Sequence, residues 1–197
     1  MEYVAGRMDS GYGLAMALHL DACPQCRREA DAMLAIAGEA LEALPPADMD
    51  MTAAQLLQNA KAGEAAEQET ISAIPEAVRA AMDGRPDGLK WQFLTPHLRQ
   101  HILTTSGKST ARILWMKPGQ AVPPHGHQGE EITMVLAGGY FDGQAAYTKG
   151  DIQWVNHSAP HTPAAMEDGP CFVLAVCDKP LKFKTLIPRL MQRFFKI

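Results

Sequence analysis

Six residues, Asp83-Gly84-Arg85-Pro86-Asp87-Gly88, contain turn formers and no hydrophobe, and they separate two stretches of chain with different periodicities. Upstream, residues 12 to 82 are rich in Ala, Leu, Met, Glu and Gln, all good helix formers. There Ala30, Met33, Leu34, Ala37, Leu41 and Leu44 recur at three and four residues, the spacing of one helix face. Pro24 suits the first turn of that helix, and Pro45-Pro46 ends it. Further helices are expected from about Met51 to Thr70 and from Pro75 to Met82. Downstream the texture becomes short runs such as Trp91 to Phe93, Ala111 to Trp115 and Ile132 to Leu136, punctuated by Gly and Pro. Strands at this spacing suggest a sandwich or barrel. The expected fold is therefore two-domain α+β: a small N-terminal helical bundle over residues 1–84, then an all-β barrel over residues 85–197.

A chain of 197 residues, 47% hydrophobic and 20% charged, can bury one good core or two small ones and is not biased toward disorder. No apolar run approaches the ~20 residues of a membrane helix, and the N-terminus lacks a signal-peptide pattern. A cytoplasmic protein without membrane contact is expected. The net charge of -4 hides an asymmetry. Residues 1 to 83 carry 5 basic against 14 acidic side chains, net -9, whereas 84 to 197 carry 13 against 8, net +5. An acidic helical unit suits a basic partner, although solvated helix faces give the same balance.

The stretch from Gly119 through His125, His127, Glu130 and Glu131 to Gly138 carries the clearest chemistry. On one extended strand, residues two and four apart share a face, so His125, His127 and Glu131 are expected on one side and Glu130 on the other. Imidazoles with a carboxylate suit a borderline divalent ion such as Zn, Fe, Mn, Ni or Cu. A fourth ligand is expected from the segment Gly150 to His161, where His157 and His161 are both candidates. His97 and His101, four apart without a carboxylate or cysteine, read as ordinary surface residues. Cys171 and Cys177 flank an apolar run; as one strand they would lie roughly 20 Å apart at ~3.3 Å per residue, beyond disulfide reach, and they read as buried hydrophobes.

The spacing Gly-x5-His-x-His-x3-Glu-x6-Gly, here Gly119, His125, His127, Glu131 and Gly138, resembles the first cupin motif at every position. The second motif is matched by Gly150 and His161, with Asn156, Ser158 and Ala165 replacing its Pro, Gly and Asn. The resemblance implies a jelly-roll barrel and favours His161 as the fourth ligand. Upstream, His19, Cys23 and Cys26 place an imidazole and two thiols at a helix junction, a pattern of tetrahedral zinc that a redox pair would also produce.

Nearly the whole chain resembles the ChrR-type zinc-binding anti-sigma factors. It does so at Tyr3 to Gly6, His19 with Cys23 and Cys26, Arg112 to Trp115, Pro118 to Pro123, Thr133 with Val135-Leu136, Gly150 to Ile152, His161 to Pro163, Leu186 to Pro188 and Phe195 to Ile197. One departure is that the family signature has a further His near the start of the first helix, and no His precedes His19. Either the given start lies downstream of that residue, or another group such as Glu2, Asp9 or water completes the site. The resemblance implies zinc at His19, Cys23 and Cys26, and a second ion, Zn or alternatively Fe, Mn or Ni, at His125, His127, Glu131 and His161. It implies sequestration of an extracytoplasmic-function sigma factor, without direct nucleic-acid contact, and release on singlet oxygen or organic peroxide acting through the cupin. Cupins often pair through sheet edges, so a homodimer is compatible. The alternative is a metal-dependent cupin enzyme, a dioxygenase or isomerase, since three His and one Glu can leave coordination positions for substrate.

Overall fold

The computed structural model describes residues 2–45, 52, 54–55, 57–58, 75–103, 107–156 and 160–183. Helices α1 (Ser10–Ala22), α2 (Pro24–Glu42) and α3 (Glu76–Met82) precede the strands. These are β1 (Gln92–Thr95), β2 (Leu98–Ile102), β3 (Thr110–Met116), β4 (His125–Gly126), β5 (Glu130–Ala137), β6 (Gly139–Asp142), β7 (Ala145–Thr148), β8 (Ile152–Asn156), β9 (Ala164–Ala165), β10 (Cys171–Cys177) and β11 (Lys182–Phe183). The expected helix over Met51 to Thr70 lies largely outside the described residues, as do His157 and the chain beyond 183.

The strands form an antiparallel six-stranded sheet in the order β1-β2-β3-β10-β5-β8, faced by the three-stranded sheet β7-β6-β9 and the pair β11-β4. Alternation along β10 explains its continuous apolar sequence. Phe172, Leu174 and Val176 join Ala111, Ile113, Ile132 and Met134 in one cluster with Ala15 and Leu18 of α1 and Val78 and Ala81 of α3. Cys171 and Val173 point the other way, into a cluster with Leu98, Met116, Val135 and Tyr140 inside the barrel. Both faces of β10 are covered, so all seven residues are buried, as the apolar Cys171–Cys177 run requires. Each large apolar side chain there contributes roughly 1.5–3 kcal/mol of burial.

Helix α1 is fixed at its start. Asp9 caps it by accepting from the Gly11 N–H at 3.1 Å. The same carboxylate accepts from the Lys108 N–H at 2.6 Å, the Ser109 N–H at 3.3 Å and the Ser109 hydroxyl, tying the helix to the loop before β3. Gly11 lets the backbone approach closely: a Cβ there would lie 2.5 Å from Ser109 Oγ and 2.9 Å from Val176 Cγ1. Helix α2 is different. Cys23 is its N-cap and Pro24 its first residue, as the Pro24 start predicts, yet none of its 19 residues is buried. Met33, Leu34, Ile36, Leu41 and Leu44 are exposed.

Candidate metal centre

Alternation that buries Ile132 and Met134 toward the helices turns Glu131, Thr133 and Val135 of β5 into the barrel. His125 lies on β4, and His127 follows in a loop, so the three motif residues do not share one strand. The expectation of a single extended strand is corrected here: the chain leaves β4 after Gly126 and enters β5 at Glu130, and Gln128-Gly129 make the bend between two sheets. His161 reaches the same point through a bridge to His125, with mutual backbone bonds of 3.1 and 2.9 Å.

The ring nitrogens of His125, His127 and His161 converge. His161 Nε2 is 2.9 Å from His127 Nε2 and 3.1 Å from His125 Nε2. With metal–nitrogen bonds of about 2.0–2.1 Å, nitrogens on one ion lie about 2.9 Å apart at a right angle and about 3.4 Å apart at the tetrahedral angle. Both separations sit near the right-angle value. His125 Nδ1 faces the Pro123 carbonyl at 3.0 Å, and His161 Nδ1 faces Asp142 Oδ2 at 2.7 Å. Those acceptors place the protons on Nδ1, which leaves lone pairs on the two Nε2 atoms facing one another. Lone pairs at that distance repel unless a proton or cation stands between them. Burial, reinforced by the neighbouring imidazoles, pushes His125 and His127 down to about 4, so neither of these two rings takes up a second proton at neutral pH. The donor set therefore fits a divalent cation.

Glu131 lies beside this triad rather than within it. Its Oε2 is 3.6 Å from His127 Nδ1, while Oε1 accepts the Thr133 hydroxyl at 2.9 Å. Burial pushes its carboxyl up, opposed by Thr133, Arg112 and His161. Behind His161 runs a chain absent from the sequence expectations: Gln153 Nε2 donates to Asp142 Oδ2 at 2.7 Å, and the Tyr140 hydroxyl donates to Gln153 Oε1 at 2.7 Å. Burial works against ionising Asp142, but the bonds from His161 and Gln153 hold its carboxyl below the ordinary range. Its only local signal is the Asp142-Gly143 turn at the end of a hairpin, which says nothing of His161, 19 residues on. A cavity of about 150 Å³ adjoins His125, His161 and Glu131, with Leu98, Leu114 and Val122 in its wall.

The second cluster joins His19 near the end of α1 with Cys23 and Cys26 at the start of α2. All three are half-buried and their ligand atoms lie within 4.8 Å of one another. Hydrogen bonds from the backbone N–H and the thiol of Cys26 hold the Cys23 thiol below its ordinary value, and sharing that proton pushes Cys26 up. Among the described residues no fourth ligand joins them. Asp9, one expected substitute, is committed to Gly11, Lys108 and Ser109, and Glu2 does not join the group either. His97 is exposed, and His101 Nδ1 faces the Lys90 carbonyl at 3.3 Å; neither belongs to a cluster among the described residues.

A jelly-roll barrel with three convergent imidazoles beside a carboxylate, carrying a His-Cys-Cys helix junction on its sheet, defines a cupin with a helical N-terminal extension. Residues 80–181 match the ChrR cupin-like domain family. Over 99% of its length the chain is 36% identical to the anti-sigma-E factor ChrR of Cereibacter sphaeroides, covering 93% of that protein. It is also similar to a chain in the crystal structure of Rhodobacter sphaeroides SigE in complex with the anti-sigma ChrR, with a TM-score of 0.71 and 34% identity over 90% of this chain and 93% of that one. This chain belongs to the ChrR family of anti-sigma factors, which are regulators of transcription and not enzymes.

Proposed function

We propose that this chain sequesters an extracytoplasmic-function sigma factor through helical residues 1–84, and releases it on an oxidative signal, singlet oxygen or an organic peroxide, acting through the cupin of residues 85–197. The observation that carries the reading is α2. Its apolar positions keep helical spacing, yet Met33, Leu34 and Leu41, with Leu44 just past the helix end, are 40–69% exposed. A stripe of that kind costs solubility unless a partner covers it, and helix-in-groove docking uses such i, i+3, i+4, i+7 anchors. The similar ChrR is found in complex with SigE. The net charge of -9 over residues 1 to 83 adds steering toward a partner whose polymerase- and promoter-facing surfaces are basic.

In this reading His19, Cys23 and Cys26 hold zinc that fixes the α1–α2 junction. His125, His127, Glu131 and His161 hold a second divalent ion, zinc or alternatively Fe, Mn or Ni. When bound, that ion supplies a fixed charge and a coordination position open to exchange. Asp142 holds the His161 proton on Nδ1, so Nε2 stays available inside the barrel. Co-expression with the sigma factor encoded beside this chain, followed by elemental analysis of the purified complex, tests the reading. A stable one-to-one complex carrying two metal ions per chain is expected. Failure of the two proteins to co-purify would overturn it.

A further inference from the structure

His19 belongs to the helical cluster, but its second ring nitrogen is held by the barrel. His19 Nδ1 lies 2.9 Å from the Gly150 carbonyl oxygen, 131 residues away. A carbonyl only accepts, so Nδ1 carries the proton and Nε2 the lone pair. Metal-ligating imidazoles almost always donate their other N–H to a fixed acceptor, which sets ring orientation and basicity. Pro123 and Asp142 do this for His125 and His161 from within the barrel. For the helical cluster the acceptor comes from the turn between β7 and β8.

We propose that the helical metal site is completed by the barrel: the Gly150 carbonyl is the outer acceptor that positions His19, and zinc affinity at His19, Cys23 and Cys26 depends on the β7–β8 turn. The inference rests on the reading of that cluster as a zinc site.

The turn is held so that this acceptor stays fixed. Gly150 has φ +94°, a conformation side-chain-bearing residues rarely adopt, and its N–H donates to the Val135 carbonyl of β5 at 2.9 Å. Asp151 Oδ2 accepts from the Thr148 N–H at 2.7 Å and the Thr148 hydroxyl at 2.9 Å. Lys149 Nζ donates to the Met82 carbonyl at the end of α3 at 3.1 Å. Ala22, the last residue of α1, packs on the turn so closely that a Cβ at Gly150 would lie 3.1 Å from its own. Three residues beyond Gly150, Gln153 of β8 holds Asp142 against His161. One segment thus touches the outer groups of both clusters.

Cobalt titration of the full-length protein tests this. Thiolate-bound Co²⁺ has a near-ultraviolet sulfur-to-metal charge-transfer band; the barrel set contains no sulfur, so the band reports the helical site alone, and zinc competition converts it to zinc affinity. Gly150→Ala adds a Cβ against Ala22 and strains the turn; Gly11→Val wedges the far end of α1 off Ser109 and Val176. Both should weaken the helical site about 10- to 100-fold while leaving cobalt binding in the barrel unchanged. Asp151→Ala, which loosens the turn without adding an atom, should give a smaller loss in the same direction, and Ala22→Gly should partly restore Gly150→Ala. Wild-type affinity in Gly150→Ala and Gly11→Val would overturn the proposal, as would a wild-type protein with no thiolate band. Sigma-factor capture, measured in parallel, separates the two readings: complex formation without such a band leaves the anti-sigma function standing and removes this inference.

Discussion

All seven residues of β10 are buried, whereas none of the nineteen residues of α2 is. Both segments carry runs of large apolar side chains. Those of β10 are covered by α1 and α3 on one side and by the barrel interior on the other, so their burial is spent on folding. Those of α2 remain in water, and the free energy of covering them is available to a partner. The two metal clusters repeat the contrast. The barrel triad is closed and oriented by its own strands, whereas the helical cluster is half-exposed, has three ligands among the described residues, and takes its orienting acceptor from elsewhere.

Leu174→Ala in β10 should break the folding side of this comparison. The side chain is fully buried between sheet and helices, so truncation should cost about 2–5 kcal/mol in urea unfolding. Leu34→Ala in α2 should stay within about 0.5 kcal/mol of wild type. A comparable cost at both positions would mean that α2 is packed in the free protein. The binding side is tested by Leu34→Asp with Leu41→Asp, expected to weaken sigma binding by about 100-fold or more in calorimetry while the unfolding midpoint stays put. Retained affinity would place the partner on another face.

Asp142→Ala probes the closed cluster. Loss of the 2.7 Å bond to His161 Nδ1 should lower barrel metal affinity about 10- to 100-fold in chelator competition, and leave the cobalt–thiolate band of the helical cluster untouched. If both sites weaken together, the outer shells are less separate than their hydrogen bonds indicate.

What was legible in the sequence follows range. The helix carrying Ala30 to Leu41, the strand between Cys171 and Cys177, and the inward placing of Glu131 are consequences of local period, and the structure has them. The motif also named His125, His127 and His161, which the fold brings together. The route was misjudged, because parity along one strand cannot see a bend at Gln128-Gly129 that sends the chain between sheets. Asp142, Gln153 and the Gly150 carbonyl were invisible for another reason. Their roles come from contacts 19, 11 and 131 residues away, and one of the three is a backbone atom with no residue signature at all. Periodicity revealed the apolar stripe of α2, but whether that stripe is covered depends on where the helix docks.

The smallest expected effect concerns Asp9, where the two halves are joined. Burial alone would raise its carboxyl, but bonds from Ser109, Lys108 and Gly11 more than offset this and hold it below the ordinary aspartate range. A depressed folded-state value means that the ionised carboxylate stabilises the fold above the ordinary pKa of about 3.9, and that this contribution fades as pH falls through the lower, folded value. Asp9→Ala removes both the cap of α1 and its tie to the loop before β3, and should cost about 1 kcal/mol at pH 7. The gap between wild type and variant should narrow below about pH 4. Asp9→Asn keeps a capping oxygen but no charge, so it should lose less at pH 7 and show a flatter dependence on acid. Unfolding curves from pH 7 to pH 3 decide the matter. A gap that persists undiminished at the acid end would show that the joint is held by shape and not by the ionised carboxylate, and α1 would then belong energetically with the buried strand β10, not with the exposed helix that follows it.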